Sequence, residues 1–212
     1  MKNNITELVC ILDRSGSMSG LESDTVGGFN AMLDRQRRQG GACFVSTVLF
    51  DNESTVLHDR VSIDAVAPLT AADYTPGGCT ALLDAIGGAI RHIEGVHRYV
   101  RAEDVPEHTI FVITTDGQEN ASHRFGSDEV RRMIERKKEA DGWEFLFLAA
   151  NIDAVETAAN IGIRPDRAAN YRADGAGTKR MFGAMAEAVS AMRCREELSR
   201  DWAAELEQDA KQ

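Results

Sequence analysis

Short apolar runs alternate along the chain with segments of helical periodicity. Two of these runs, 8–12 and 144–149, are almost entirely apolar, which is typical of strands that helices cover on both faces. Between the runs, apolar residues recur at the three- and four-residue spacing of amphipathic helices. The predicted strands span 8–12, 43–50, 55–63, 109–115, 144–149 and 168–171. The predicted helices span 21–38, 81–93, 127–140, with Ser127 as its cap, and 153–160.

This alternation predicts an α/β protein with a doubly wound, mostly parallel sheet and helices on both faces. The 55–63 run directly follows 43–50, so we expect it to fold back as one antiparallel edge strand. In such sheets, ligands bind at the carboxyl ends of strands, near the point where the strand order reverses. The strand ends are therefore where functional side chains are expected.

One domain is predicted over residues 1–194, followed by a charged helical tail over 195–212. Five apolar side chains form a helical stripe that should cover one flank of the sheet: Met181, Met185, Ala188, Val189 and Met192. The apolar residues of the tail recur every four positions, at Leu198, Trp202 and Leu206. A half-docked terminal helix is the favoured interpretation of the tail, and a partner-binding helix is the alternative. A chain cut after Cys194 is expected to fold.

Side chains with oxygen atoms follow two of the predicted strands and precede one helix. An Asp-x-Ser-x-Ser pattern follows the 8–12 run, a threonine precedes the 81–93 helix, and an aspartate follows 109–115. Carboxylates and hydroxyls are hard ligands, which suit Mg²⁺ or Mn²⁺ better than zinc or copper. The predicted metal ligands are Asp13, Ser15, Ser17, Thr80 and Asp116.

These five positions, in this order, resemble the complete metal-ion-dependent adhesion site of a von Willebrand factor A (vWA) domain. The resemblance covers residues 5–172 and is greatest to small, single-domain bacterial members, including those linked to tellurium-resistance and stress gene clusters. It implies a Rossmann-like vWA fold in which the three hydroxyls are direct ligands. It also implies that the two carboxylates bind the ion directly or through water, depending on the conformational state.

The resemblance further implies a metal-dependent protein–protein interaction module without enzymatic activity. Neutral hydroxyls leave the Mg²⁺ (or Mn²⁺) ion electrophilic, and solvent keeps one coordination position. An Asp or Glu carboxylate from a protein partner can replace that solvent. A regulatory or docking subunit of an intracellular ATPase or kinase assembly is the alternative, since it would use the same local chemistry.

The same residues have other interpretations. Ser15 and Ser17 could cap the following helix, and Asp116 could belong to a simple turn. A Mg²⁺-dependent phosphohydrolase would carry Asp-x-Asp after the first strand, but the chain has Ser15, whose hydroxyl cannot act as an acid or base near neutral pH. Such enzymes also need a lysine before the late acidic motif, and the sequence between Thr80 and Asp116 has none. No catalytic residue is therefore assigned.

Other polar residues give weaker indications of a binding site. Asn151 and Asp153, after the fifth strand, could line the rim of the site, although capping of the next helix by Asp153 is favoured. Gly175 to Lys179 lacks the Gly-Lys-Ser/Thr of a phosphate-binding loop. The five histidines have no metal-ligand spacing and are expected on the surface or in loops.

The net charge, and a search for membrane spans and signal peptides, limit the partners and the compartment that are expected. A formal net charge of −10 would repel a phosphate backbone, so nucleic acid is not an expected partner. The sequence has no apolar stretch long enough for a membrane span and no signal peptide. Its four cysteines lack the Cys-x-x-Cys spacing of zinc or redox sites. A reduced, cytoplasmic protein is expected.

Overall fold

The structure, a computed structural model, describes residues 4–194, 196–199 and 201–211. Its strands are β1 (Thr6–Asp13), β2 (Cys43–Phe50), β3 (Ser54–Ser62), β4 (His108–Thr115), β5 (Glu144–Ala149) and β6 (Ala168–Asn170). Its α-helices are α1 (Glu22–Gln39), α2 (Leu82–Tyr99), α3 (Ser127–Asp141), α4 (Ala154–Asn160), α5 (Gly175–Arg193) and α6 (Ala204–Ala210). The predicted domain limits at residues 1, 195 and 212 lie outside the described residues.

The six strands form one sheet in the order β3-β2-β1-β4-β5-β6, and β3 runs antiparallel to β2 while the other pairs are parallel. The predicted α/β fold with one antiparallel edge strand is therefore confirmed. The chain winds outward from β1 through β2 to β3 and then returns to β4, so the strand order reverses between β1 and β4. Among the described residues, none of the helices has both the length and the apolarity that crossing a bilayer requires.

The alternation of side chains along β1 explains the two layers of the core. Leu8, Cys10 and Leu12 are buried on the face that α1 and α5 cover, whereas Val9 and Ile11 are buried on the opposite face with α2 and α3. Burial on both faces accounts for the unbroken apolar run. The predicted stripe on α5 is also buried, from Met181 through Met192.

Two helices differ from their predicted ends. Helix α2 continues to Tyr99, beyond the predicted end at residue 93. The prediction ended too early because the last turns are mostly polar and partly exposed, and therefore have no apolar periodicity. Helix α3 has Gly126 rather than Ser127 as its N-cap residue. Ser127 is instead the first helical residue, and its hydroxyl donates to the Asn160 carbonyl at 3.5 Å.

One histidine differs from the expected surface position. His58 is buried on β3, where its Nδ1 lies 3.0 Å from the Thr47 hydroxyl on β2. Burial lowers the pKa of His58 because it disfavours the charged imidazolium. The prediction of a surface or loop position is therefore wrong for His58, because its side chain is buried against β2.

The C-terminal segment packs on the domain in the described residues. Leu198 and Leu206 are buried in the same apolar cluster as α1 and α5. The Trp202 indole N–H donates to the Asp166 carbonyl at 3.1 Å. These contacts suit a docked helix, in which α6 covers the flank of β6 and the start of α5.

We expect Leu206→Ala to lower the free energy of unfolding by about 2–4 kcal/mol, the range for a buried leucine truncated to alanine. Glu205→Ala, on the exposed side of the same helix, is the matched control and should be close to neutral. Urea denaturation followed by circular dichroism measures both. Equal stability of the two variants would show that α6 is not docked in solution.

Candidate metal site

Two carboxylates lie at the ends of the two central strands. Asp13 is the last residue of β1, and Asp116 follows the last residue of β4. Because Leu12 pairs with Thr114, the two strands end at the same level. Asp13 and Asp116 are only 1% and 2% exposed, respectively. The reversal of strand order therefore brings two buried acids together at one edge of the sheet.

The loop after β1 brings both serines to these acids. The hydroxyls of Ser15 and Ser17 lie 3.1 Å apart, and Ser17 donates to Asp116 Oδ1 at 2.5 Å. Neither serine caps α1, whose N-cap residue is Leu21 and whose first residue is Glu22. The helix-capping interpretation of the two serines is therefore wrong.

Thr80 approaches the same position from the loop that precedes α2. A Cβ atom on Gly117 would lie 3.6 Å from the Ser17 hydroxyl oxygen and 3.7 Å from that of Thr80, so both hydroxyls flank Gly117. Asn120 binds the Thr80 main chain on both sides: its Oδ1 accepts from the Thr80 N–H at 2.9 Å, and its own N–H donates to the Thr80 carbonyl at 3.1 Å. The structure thus brings all five predicted residues together.

The Asp13 carboxylate is oriented by two donors. Its Oδ1 accepts from the Ser15 N–H at 2.7 Å, and its Oδ2 accepts from the Thr115 hydroxyl at 2.6 Å. Thr115 is fully buried and stands directly before Asp116. No sequence pattern singles out Thr115, because its role depends on the register of β4 against β1.

Asp116 is less completely bonded than Asp13. Its Oδ1 accepts from Ser17, but its Oδ2 is buried and has no hydrogen-bond partner. A buried acceptor without a partner costs free energy, about 1–3 kcal/mol and more when it is charged. A cation at this position would provide the missing partner. The orphaned oxygen and the three neighbouring hydroxyls therefore fit Mg²⁺ or Mn²⁺.

Histidine, cysteine and carboxylate side chains do not by themselves form a metal site: in the part of the chain that the structure describes, no group of three or more of them could hold a metal ion. A site at Asp116 would consequently depend on its two carboxylates and on hydroxyl oxygens. Such a ligand set suits a hard cation rather than zinc.

Burial raises the pKa of both acids. Burial raises the pKa of Asp13, although hydrogen bonds from Ser15 and Thr115 act in the opposite direction. Burial also raises the pKa of Asp116, and the negative charge of Asp13 adds to the effect. Among the described residues, no ion pair joins either acid to a basic side chain; the nearby Arg14 pairs with Asp51 at 2.9 Å. The site therefore concentrates negative charge that a dication would neutralise.

The residues after β5 border the site. The Asn151 side chain donates to the Asp116 carbonyl at 3.1 Å, and its own backbone is left-handed, with φ of 57°. Asp153 caps α4 by accepting from the Glu156 N–H at 2.9 Å, as predicted. A cavity of about 920 Å³ begins at Gln118 and Asn151 and extends to α6. A partner bound at Asp116 would have this space beside it.

Residues 175–179, which were compared with a phosphate-binding loop, form the first turn of helix α5. Gly175 opens α5, and the Asp174 carboxylate caps it by accepting from the Gly177 N–H at 2.7 Å. A Cβ at Gly177 would lie 2.1 Å from the Arg172 carbonyl oxygen, so close backbone contact explains that glycine. Gly177 therefore allows the main chain to turn closely into α5.

Comparisons with known proteins identify the fold. No protein-family model and no curated protein sequence matches the chain. Solved structures with a similar fold include a von Willebrand factor type A protein from Catenulispora acidiphila, with TM-score 0.57 and 16% identity over 90% of this chain and 43% of that one. The chain spans less than half the length of that protein.

Two further solved structures share the fold. One is manganese-loaded TRAP protein from Plasmodium vivax, with TM-score 0.58 and 15% identity over 86% of this chain and 73% of that one. The other is the vWF domain of the type V pili tip protein Mfa5 from Porphyromonas gingivalis, with TM-score 0.61 and 11% identity over 92% of this chain and 98% of that one. The fold of this chain is therefore similar to that of vWA domains.

The raised pKa of Asp116 predicts a pH-dependent effect of Asp116→Asn on stability. A raised carboxyl pKa in the folded state means that ionisation destabilises that state above this pKa, and that the penalty is relieved as the pH falls through it. In EDTA at pH 7, Asp116→Asn should therefore unfold at a higher temperature than the wild type. The difference should shrink as the pH is lowered, and added Mn²⁺ should reverse the order by stabilising only the wild type.

Thermal unfolding followed by circular dichroism measures these differences. Asp153→Asn is the matched control, because it removes a charge at the same sheet edge and asparagine caps a helix as well as aspartate does. It should leave the metal response intact. A lower unfolding temperature for Asp116→Asn than for the wild type in EDTA at pH 7 would show that the Asp116 charge does not destabilise the metal-free fold.

Proposed function

We propose that this chain is a vWA-type module that binds a partner protein through a divalent cation, Mg²⁺ or Mn²⁺. The observation that carries the proposal is the buried, unpartnered Oδ2 of Asp116 beside the hydroxyls of Ser15, Ser17 and Thr80. The ligand set proposed from the sequence, Asp13 included, meets at one edge of the sheet. The manganese-loaded state of TRAP, a protein of similar fold, supports a divalent cation here.

The proposed ligands would each contribute differently to binding the ion. Asp116 would offer its free oxygen, and the hydroxyls would offer neutral ligands, while Asp13 adds charge from a carboxylate already held by Ser15 and Thr115. When bound, the cation would supply an electrophilic position facing solvent. Because Ser17 is exposed whereas Asp13 is buried, that position lies on the Ser17 side of the site.

The partner group that such a position recognises is a carboxylate. An acidic chain with a net charge of −10 repels other anions over most of its surface, so an Asp or Glu side chain would be attracted only at the cation. The partner is therefore a protein that presents one such side chain. A docking role within an intracellular ATPase or kinase assembly is the second form of the same proposal, since it would use the same cation and the same partner group.

We also propose that the module has no enzymatic activity. The Ser15 and Ser17 hydroxyls contact each other, and Ser17 donates to the Asp116 carboxylate. Neither hydroxyl is hydrogen-bonded to a histidine or lysine base in the described residues. Both oxygens of Asp13 accept hydrogen bonds, which leaves this carboxylate a poor nucleophile. A Mg²⁺-dependent phosphohydrolase remains the alternative that an assay must test.

Calorimetry with Mn²⁺ should detect one site in the wild type. Asp13→Ala and Asp116→Ala should each remove the binding, because each takes away a charged ligand. Asp153→Ala is the matched control: it loses a helix cap, at a cost of about 1 kcal/mol in stability, but should keep wild-type metal affinity.

The same proteins test the non-enzymatic assignment. With Mg²⁺ or Mn²⁺ present, none should hydrolyse phosphoesters. Rapid metal-dependent hydrolysis by the wild type that Asp13→Asn abolishes would establish the phosphohydrolase instead.

Partner binding should depend on the metal and on Thr80. A pull-down with and without EDTA, read by mass spectrometry, identifies candidate partners, and Thr80→Ala should weaken binding to them while preserving the fold. EDTA, Thr80→Ala and replacement of the critical acid on the partner should not have additive effects, because all three remove one contact. A partner held equally well in EDTA uses another surface, and if every stable partner behaves so, the proposal is wrong.

A further inference from the structure

Residues 63–81 join β3 to α2 without helix or strand, and they carry the proposed ligand Thr80. A connection of this length is usually either functional or poorly ordered. Here the Thr80 hydroxyl must be held against the ends of β1 and β4. The contacts that fix this loop therefore decide the geometry of the proposed metal site.

The last part of the loop is bound by its backbone to neighbouring loops. Main-chain hydrogen bonds join Gly77 to Arg14 at 2.9 Å and Gly16 to Gly78 at 3.1 Å. Ala81 donates to the Asp51 carbonyl at 2.8 Å. These bonds hold the residues on both sides of Thr80, and two of them involve the exposed residues Gly16 and Gly78 or the half-buried Gly77 and Arg14.

A buried contact also holds this loop. Tyr74 is 1% exposed, and its hydroxyl donates a hydrogen bond to the main-chain carbonyl of Asp13. Tyr74 therefore joins the Thr80 loop to the residue that carries the first carboxylate. Farther back in the loop, Asn30 on α1 binds the main chain of Leu69 with both ends of its amide, at 2.8 and 2.9 Å.

We propose that Tyr74 is a positioning residue of the metal site, whose hydroxyl fixes the Thr80 loop against the end of β1. The inference rests on the proposed function, because it assigns to Tyr74 a role in binding the cation. Tyr74 does not touch the ion. It acts through the Asp13 main chain and through the short stretch that leads to Thr80.

The substitution Tyr74→Phe removes only the hydroxyl group of the side chain, and it therefore tests the positioning role of that hydroxyl. The phenyl ring still fills the same space, but the Asp13 carbonyl loses the Tyr74 donor and the loop loses one of its anchors. We expect Mn²⁺ affinity to fall about tenfold, since removal of groups that orient metal ligands typically costs 10–100-fold. Calorimetry and the electron paramagnetic resonance signal of free Mn²⁺ measure the change in the full chain.

Two other tyrosines provide controls. Tyr99 is 87% exposed, and Tyr99→Phe should leave Mn²⁺ affinity unchanged. Tyr171 is buried, and in the described residues its hydroxyl donates a long hydrogen bond, 3.4 Å, to the Thr115 carbonyl on β4 rather than to the end of β1. Tyr171→Phe should therefore have a smaller effect than Tyr74→Phe. An equal loss in both buried variants would overturn the specific role of Tyr74.

A double-mutant cycle separates positioning from general stability. If Tyr74 acts by placing Thr80, then Tyr74→Phe should weaken Mn²⁺ binding much less in a Thr80→Ala background than in the wild type. Equal losses in both backgrounds would show a general structural role and overturn the proposal. If Tyr74→Phe does not fold in EDTA, Asn30→Ala removes the other anchor of the loop, and unchanged Mn²⁺ affinity in that variant would count against the proposal.

The outcomes also separate this inference from the proposed function. A wild type that binds no Mn²⁺ refutes the metal site itself, and with it the role of Tyr74. A wild type that binds Mn²⁺ while folded Tyr74→Phe binds equally well refutes only the positioning role.

Discussion

The burial of two like-charged carboxylates at neighbouring strand ends is the constraint around which this structure is organised. Asp13 and Asp116 are buried away from water at the point where the strand order reverses. The described residues provide no basic side chain to pair with either acid. Burying an unpaired charge is strongly unfavourable. Hydrogen bonds from Ser15, Ser17 and Thr115 offset part of this cost, and in the described residues Asp116 Oδ2 is left without a hydrogen-bond partner.

The parallel sheet makes this arrangement rigid. Strands β1 and β4 are covered on both faces, so their ends cannot shift without disturbing the core. The third contribution comes from Thr80 on a long loop, which is fixed by Asn120, by the neighbouring loops and by Tyr74. If the proposed cation binds here, its ligands are held in place beforehand, which would reduce the ordering that binding requires. The same rigidity would suit the proposed recognition of one carboxylate.

The sequence predicts the parts of this structure that depend on local pattern. Apolar runs mark β1, β4 and β5. The oxygen side chains at the ends of β1 and β4, together with the threonine before α2, predict the five residues that meet at the edge of the sheet. The roles of Thr115, Tyr74 and Asn120 could not be predicted, because each depends on register or on a contact between distant loops. Polar last turns concealed the end of α2, and packing of the edge ribbon concealed the burial of His58.

The central claim is that a divalent cation binds between Asp116 and the three hydroxyls. Anomalous diffraction from crystals of the full chain grown with Mn²⁺ tests it most directly, because the peak locates the ion independently of any assay. We expect one strong peak within about 2.0–2.6 Å of oxygen atoms from Ser15, Ser17, Thr80 or Asp116, the range spanned by Mg²⁺–oxygen and Ca²⁺–oxygen coordination. An ordered site without a peak at saturating Mn²⁺, or a peak only elsewhere on the molecule, would contradict the claim.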